Sequence, residues 1–308
     1  MAATTPKSDS QGTRNYNESL RRTGDVRLRA LRTPLLSNGL LVVLKLAVWF
    51  VTGSVSVLSE ALHSGVDLVV TTLQVISVRL AVRPADEDHA YGHGKFENLG
   101  AGVEALFILA TAALVVAEAL QRLRFPTPIS HLDLGLAIMV VSAVVNVFVS
   151  RRLEVVAKRE QSPALQAEAA QLRADVWTAA GVAGSLLVIR ITHLNIVDPI
   201  VSLMIAGLIV KAAYDVSVRA IADLTDGRLP PQQEQDIRQV IERHAATYVS
   251  YHKLRTRRSG GGEFIDFHLQ MPGALPLRQA HDLSDLIVVD IKKQWPRAHV
   301  LIHLEPEA

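Results

Sequence analysis

Long apolar runs are the feature that most constrains the fold of this 308-residue chain. Each run is about 20 residues long, the length that an α-helix needs to cross the hydrocarbon core of a bilayer. The six runs cover residues 34–51, 55–81, 98–121, 132–150, 164–191 and 196–217. With 49% hydrophobic and only 20% charged residues, the chain is too apolar for a soluble protein of this size. The sequence therefore predicts an all-α, six-helix transmembrane domain over residues 31–219, in contact with membrane lipid.

The segment before the first run is polar and rich in Ser, Thr, Asn and Arg. We predict that residues 1–30 are a disordered tail, since they lack apolar periodicity. The first run has no signal-peptide cleavage pattern. Basic residues concentrate in the tail and in the connections between runs two and three and between runs four and five, which predicts that both termini are cytoplasmic. In a bacterium this membrane would be the inner membrane.

After residue 219 the composition becomes that of a small soluble domain, predicted to cover residues 220–308 and to lie in the cytoplasm. Its pattern predicts the order αββαβ, which is typical of a small α+β sheet with helices on one face. In the second strand, Ile265, Phe267 and Leu269 alternate with Asp266, His268 and Gln270.

The composition also limits the chemistry. The chain has no cysteine, so a transition metal must be held by imidazole, carboxylate, amide or water. Eleven histidines keep that option open. A net charge of +2 indicates no nucleic-acid partner. We interpret Lys45, in the first run, as a packing or snorkelling lysine, with a role in a transport path as the alternative.

Two apolar runs carry paired polar side chains. His63 and Asp67 are four residues apart, as are Gln171 and Asp175 in the fifth run. This spacing stacks each pair on one face of a helix. Ionisable groups at bilayer depth are costly and usually functional. The two helices could thus offer four side chains to one divalent cation.

The connection between runs two and three is a second candidate. Asp86, His89 and His93 could converge on one cation, and Gly92 and Gly94 permit a tight backbone path. The alternative is an ordinary solvated loop with acidic and basic residues.

Together these motifs resemble the cation diffusion facilitator family. The resemblance rests on HSGVD at residues 63–67, DEDHAYGHGK at residues 86–95, Asp175, and six spans followed by the αββαβ domain. It is greatest for the bacterial homodimeric zinc and iron exporters driven by protons. The resemblance implies a homodimer, a metallochaperone-like cytoplasmic domain and no organic cofactor.

The resemblance also implies three metal sites. The transport site would be His63, Asp67, Gln171 and Asp175. The loop site would be Asp86, His89 and His93, and a dimer-stabilising site would use His252, His268, His281, His303 and Glu305. Strand parity independently places His268 and His303 off the apolar face.

Two positions depart from the family pattern. Gln171 stands where many relatives have histidine, and His63 stands where the nearest exporters have aspartate. An amide has no titrating proton, so we expect fewer protons exchanged per metal than in a two-histidine site. Tetrahedral nitrogen and oxygen ligands suit Zn²⁺ best, with Fe²⁺, Co²⁺, Cd²⁺ and Mn²⁺ behind.

These features predict a metal exporter that works as a metal/proton antiporter by alternating access. A membrane-anchored metal sensor or scaffold without net transport is the alternative. A membrane metalloenzyme is disfavoured, because the sequence has no HExxH motif and no Ser/His/Asp arrangement with a plausible general base.

Overall fold

The computed structural model describes residues 7–52, 55–124, 133–192 and 196–307. The chain divides into two compact units, one made of residues 21–220 and one that includes residues 221–307. The long helices are α1 (Lys7–Thr52), α2 (Val55–Ala81), α3 (Lys95–Arg124), α4 (Asp133–Glu160), α5 (Pro163–Thr192) and α6 (Val197–Leu224). The remaining elements are α7 (Pro231–Glu242), a 3₁₀ turn (Ala245–Thr247), β1 (Ser250–Ser259), β2 (Gly262–Met271), α8 (Leu277–Gln294) and β3 (His299–Pro306).

The long helices expose large apolar side chains, as a bilayer environment requires. Phe50 is 86% exposed and Leu40 is 70% exposed. Within the described ranges, four helical stretches are long and apolar enough to cross a membrane: Glu18–Val51, Ala61–Ala81, Lys95–Arg124 and Pro199–Leu224. The predicted count of six spans therefore stays a prediction.

Helices α1, α2, α4 and α5 share one apolar core. It is centred on Leu31, Val78, Leu153, Leu165 and Leu172, all of which are almost fully buried. A second core joins α3, α5 and α6. Because α5 contributes to both cores, its polar face is held against α2 and α3 and not against lipid.

The prediction of a disordered tail is wrong for residues 7–30, which form the first half of α1. Gly24, Arg27 and Leu31 are buried at a spacing of three and four residues, which is the period of a packed helix face. Gly24 and Arg27 are not large apolar residues, so a hydrophobicity pattern of the sequence does not reveal this buried helix face. The Arg27 guanidinium is instead matched by a buried partner, the Glu97 carboxylate on α3.

A tight turn joins α4 to α5 and fixes the register of both helices. Gln161 adopts a left-handed conformation with φ of 48°, which ends α4. Ser162 then precedes Pro163 and accepts a hydrogen bond from the Leu165 backbone N–H at 3.3 Å, the arrangement of a helix N-cap followed by proline. The Ser162 hydroxyl also donates to Glu97, which ties this turn to α3.

The second unit confirms the predicted order αββαβ. Strand β2 is central, antiparallel to β1 and parallel to β3, with α8 as the crossover between β2 and β3. Ile265, Phe267 and Leu269 of β2 are buried against α7 and α8. The alternate residues of β2 therefore lie on the opposite face of the sheet, which neither helix covers.

Candidate metal centres

The first candidate centre, called here the transport centre, lies between α2 and α5. The His63 Nε2 atom lies 3.8 Å from Oδ2 of Asp67 and 3.8 Å from Oδ1 of Asp175. One donor atom from each of these three residues lies within 4.8 Å of the others. The i,i+4 spacing on α2 puts His63 over Asp67, and the packing of α5 brings Asp175 to both. This geometry fits a single divalent cation.

Gln171 completes the transport centre as a bridge between its two carboxylates. Its side-chain Nε2 donates to Oδ1 of Asp67 at 3.2 Å and to Oδ1 of Asp175 at 3.4 Å. Its Oε1 is buried and has no hydrogen-bond partner among the described residues. Only the amide oxygen can bind a cation, so ligation by Gln171 requires the amide to turn.

Lys45 lies beside the transport centre. It is 2% exposed, and its Nζ donates to the Ser64 hydroxyl at 2.8 Å. Its charge acts on Asp67. The snorkelling interpretation is therefore wrong, since a snorkelling lysine keeps its ammonium group in water. Lys45 is instead a buried lysine that packs against α2 and bonds to Ser64, which precedes Asp67 by three residues.

The second candidate centre is the loop between α2 and α3. The Asp86 carboxylate lies 3.2 Å from Nδ1 of His89 and 3.3 Å from Nε2 of His93. The backbone turns at Gly92, where φ is 79°, a conformation that glycine adopts without strain. The structure thus brings together all three predicted loop residues.

Hydrogen bonding orients the loop histidines. Nδ1 of His93 lies 3.2 Å from the Pro84 carbonyl oxygen, which can only accept a hydrogen bond, so the ring carries its proton on Nδ1 and turns Nε2 towards Asp86. Slight desolvation raises the pKa of Asp86, but hydrogen bonds from the His89 backbone and ring, with the charge of His93, outweigh it and hold that pKa below its ordinary value. Asp86 therefore stays ionised and ready to bind a cation.

The third candidate centre, called here the sheet cluster, lies on the uncovered face of the sheet. Strand pairing sets His252 opposite His268, and His268 opposite His303. The Glu305 carboxylate lies 2.6 Å from Nδ1 of His268 and 3.3 Å from Nε2 of His252. The hydrogen bond from His268, with the charges of His252 and Lys253, holds the pKa of Glu305 below its ordinary value.

Two predicted ligands of the sheet cluster have different positions. Nε2 of His303 lies 3.7 Å from Glu305, at the edge of the group formed by His252, His268 and Glu305. His281 does not join that group within the described chain; its ring lies 3.8 Å from Asp285 on the same turn of α8.

Sequence reasoning missed several buried polar residues of the helical unit. Arg27 pairs with Glu97 and donates to the Glu160 carbonyl at 2.9 Å. Glu104 and Glu168 are fully buried on α3 and α5. The available signal was an acidic residue in the middle of an apolar helix, three residues before Gln171 in the case of Glu168.

Two family models together cover the part of the chain that holds these centres. Residues 32–225 match the cation efflux transmembrane domain, and residues 229–307 match the cytoplasmic domain of cation efflux proteins. The chain belongs to the cation diffusion facilitator family. The resemblance seen in the motifs is thus confirmed, as is the fold class of a helical membrane domain followed by a cytoplasmic α+β domain.

Curated relatives of this cation diffusion facilitator agree with that assignment. The chain is 34% identical over 263 residues to an uncharacterised transporter of Synechocystis, with 85% of each chain covered. It is 31% identical over 269 residues to the cation-efflux pump FieF of Escherichia fergusonii and to that of Escherichia coli, with 87% of this chain and 88% of the relative covered.

Two solved structures named for a zinc transporter, CzrB, one of them in a zinc form, are 33% identical and cover 26% of this chain. The matched region spans 99% of one solved chain and 91% of the other, and the TM-score is 0.25 for each.

The matched family consists of multi-pass membrane transporters for cations. This chain is therefore a cation efflux transporter.

Proposed function

We propose that this transporter exports divalent transition-metal ions in exchange for protons by alternating access, with Zn²⁺ as the first candidate substrate. The observation that carries the proposal is the transport centre itself. His63 and Asp67 of α2 meet Gln171 and Asp175 of α5 inside helices that expose apolar side chains. Titratable groups inside membrane-spanning helices are costly, so they usually mark a substrate or ion pathway.

The coupling to protons follows from the ligand chemistry. A divalent cation needs deprotonated ligands, so metal binding releases protons and protonation releases metal. His63 supplies the one imidazole among the four ligands, a group that can bind and release a proton. If the centre loads from the cytoplasm and takes up protons on the more acidic outer side, each cycle moves metal outwards against inward proton flow.

The ligand set favours zinc over harder ions. One imidazole, two carboxylates and one amide offer nitrogen and oxygen atoms for a tetrahedral site. An amide oxygen in place of a second imidazole moves the preference towards Fe²⁺ and Mn²⁺. The name of the relative FieF, a cation-efflux pump, agrees with a cation as the substrate.

The other two clusters complete the proposal. We expect Asp86, His89 and His93 to bind the same ions at the cytoplasmic surface. His252, His268 and Glu305, with His303 beside them, fit a resident ion that stabilises a homodimer through the cytoplasmic domain. We also propose that the chain has six spans, that both termini are cytoplasmic, and that the protein lies in the inner membrane.

Metal-driven proton flux tests the proposed function. The full-length protein would be placed in liposomes that enclose a pH-sensitive dye, and Zn²⁺, Fe²⁺, Co²⁺, Cd²⁺ and Mn²⁺ would be added in turn. We expect flux with zinc and its loss in Asp67→Ala. Absence of flux with every ion, together with tight binding by His252 and His268, would refute export and support a membrane-anchored sensor.

A further inference from the structure

Two buried acids, Glu104 and Glu168, lie outside the group of candidate ligands in the transport centre. Glu104 on α3 is 0% exposed and Glu168 on α5 is 1% exposed. The two side chains interact electrostatically. Both oxygens of Glu104 and one oxygen of Glu168 have no hydrogen-bond partner among the described residues. Isolated buried carboxylates are costly as anions, so such groups take up protons.

The contacts of the Thr71 hydroxyl are compatible with a proton on Glu168. The Thr71 hydroxyl oxygen lies 2.9 Å from the Asp67 carbonyl, 3.1 Å from the Asn38 amide nitrogen and 2.7 Å from Oε1 of Glu168. A hydroxyl has one hydrogen and two lone pairs. If it donates to the Asp67 carbonyl and accepts from Asn38, the short contact to Glu168 is satisfied only when Glu168 donates. That donation requires a protonated Glu168.

Gln74 lies near this pair. It is 1% exposed, and its amide nitrogen donates to the Gly100 carbonyl at 2.9 Å. Its side chain interacts with the Glu104 carboxyl. Its Oε1 has no hydrogen-bond partner among the described residues, and neither has either oxygen of Glu104. The Glu104 oxygens therefore lack the donors that a buried carboxylate anion needs.

The acid pair is coupled electrostatically to the transport centre. The charges of Asp67 and Asp175 act on both Glu104 and Glu168, and the charge of Lys45 acts on Asp67. Glu168 also lies three residues before Gln171, so the two side chains share one side of α5. A divalent cation bound between Asp67 and Asp175 would oppose the negative charge that keeps the nearby protons bound.

We propose that Glu104 and Glu168 form a proton-binding pair that releases a proton when a divalent cation occupies the transport centre. The inference rests on the proposed function, because it needs metal bound by Asp67 and Asp175. In the step, the O–H bond of a glutamic acid breaks, the carboxylate keeps the electron pair, and the proton passes to water and buffer. The pair thereby supplies the titratable group that Gln171 lacks.

Calorimetric proton counting tests the pair. Zn²⁺ would be titrated into the full-length protein in two buffers that differ in ionisation enthalpy, which gives the number of protons released per ion. Asp86→Ala and His268→Ala would be present throughout, so that only the transport centre binds zinc. We expect Glu168→Gln to lower the count by about one proton. Glu118→Gln is the matched control, since Glu118 is an exposed acid on α3.

A second measurement covers the case in which Glu168→Gln disturbs folding. The metal-free protein should show the infrared carbonyl band of a protonated carboxyl group, which zinc diminishes and which both Glu168→Gln and Glu104→Gln weaken. A proton count and a band unchanged in both variants would overturn the inference. Zinc flux without a pH gradient would be measured in parallel. If the proposed function is wrong, the unmodified protein shows no zinc flux. If only the present inference is wrong, the unmodified protein still transports zinc.

Discussion

The transport centre and the sheet cluster use the same ligand types on different scaffolds. In the transport centre, His63 lies 3.8 Å from both carboxylates, which come from two helices. In the sheet cluster, Glu305 holds His268 at 2.6 Å, and backbone pairing fixes the strands that carry them. The two helices of the transport centre are joined at this point through side chains, whereas the strands of the sheet cluster are joined by main-chain hydrogen bonds.

This difference shows how one chain can both release and retain metal. Ligands on separate helices part when the helices part, so their affinity changes with conformation. Ligands on neighbouring strands keep their spacing, because strand separation is set by the sheet. We therefore expect the transport centre to exchange its ion in every cycle and the sheet cluster to keep its ion.

Asp175→Asn should have the largest effect. The change keeps the side-chain shape but removes a charged ligand, and even the partners of metal ligands are worth about 10–100-fold in affinity or activity. We expect zinc flux into liposomes to fall to the level of empty liposomes, while zinc binding by the sheet cluster persists. Asp215→Asn, at an exposed acid on α6, is the control and should keep its flux. Retained flux in Asp175→Asn would remove the distinction between the two centres.

Glu305→Gln should have the opposite pattern. It removes the carboxylate that orients His268 and His252, so the sheet cluster should bind zinc about 10–100-fold more weakly, measured by equilibrium dialysis in the Asp175→Asn background. Zinc flux at saturating metal should continue in Glu305→Gln alone. The control is Glu307→Gln, two residues further along the chain and exposed. If both variants bind zinc equally well, Glu305 is not a ligand.

Gln171→His would sharpen the comparison by adding a titratable ligand to the transport centre. We expect about one more proton exchanged per ion, because imidazole can carry a proton and an amide cannot. Reversal potentials measured at several pH gradients give the stoichiometry. Gln166→His, also on α5, is the control. An unchanged stoichiometry in Gln171→His would contradict the role given to this position.

His299→Phe should have the smallest effect and concerns the scaffold of the sheet cluster. Burial, with the nearby charges of Lys292 and Arg257, holds the pKa of His299 below its ordinary value. The unfolded chain therefore binds the proton more tightly, and stability should fall as pH drops below about 6.5. Phenylalanine keeps the stacking on Phe264 but cannot titrate.

Hydrogen exchange in β2 would measure this pH dependence. After correction for intrinsic exchange, one proton changes protection by at most about tenfold per pH unit. We expect a steeper fall in the unmodified protein than in His299→Phe. Equal slopes would assign the pH dependence to the cluster histidines.

Much of the fold could be predicted because periodic patterns of apolar residues in the sequence indicate its helices and strands. The second apolar run, residues 55–81, coincides with α2, and the alternation of Ile265, Phe267 and Leu269 gave the buried face of β2. The loop group at Asp86 was also predictable, because its three ligands are close in sequence and need little tertiary structure to meet.

The remainder depends on contacts between distant residues. The first half of α1 was missed because Arg27 is buried through its contacts with distant residues, Glu97, which lies 70 residues away, and the Glu160 carbonyl. The bridging orientation of Gln171 follows from the approach of Asp67, which no local pattern encodes. The short contact between Thr71 and Glu168 likewise needs α2 and α5 side by side.

Gly100 shows how such packing limits movement. A methyl group at this position would lie 2.3 Å from the Ser77 hydroxyl, so α2 and α3 touch without room for a side chain between them. The hydrogen bond from Gln74 to the Gly100 carbonyl fixes the same contact, so α2 and α3 are held together as one stiff pair. His63 and Asp67 therefore lie on a helix that cannot shift without α3. Any change in the distance between the two ligand pairs requires at least two helices to move together.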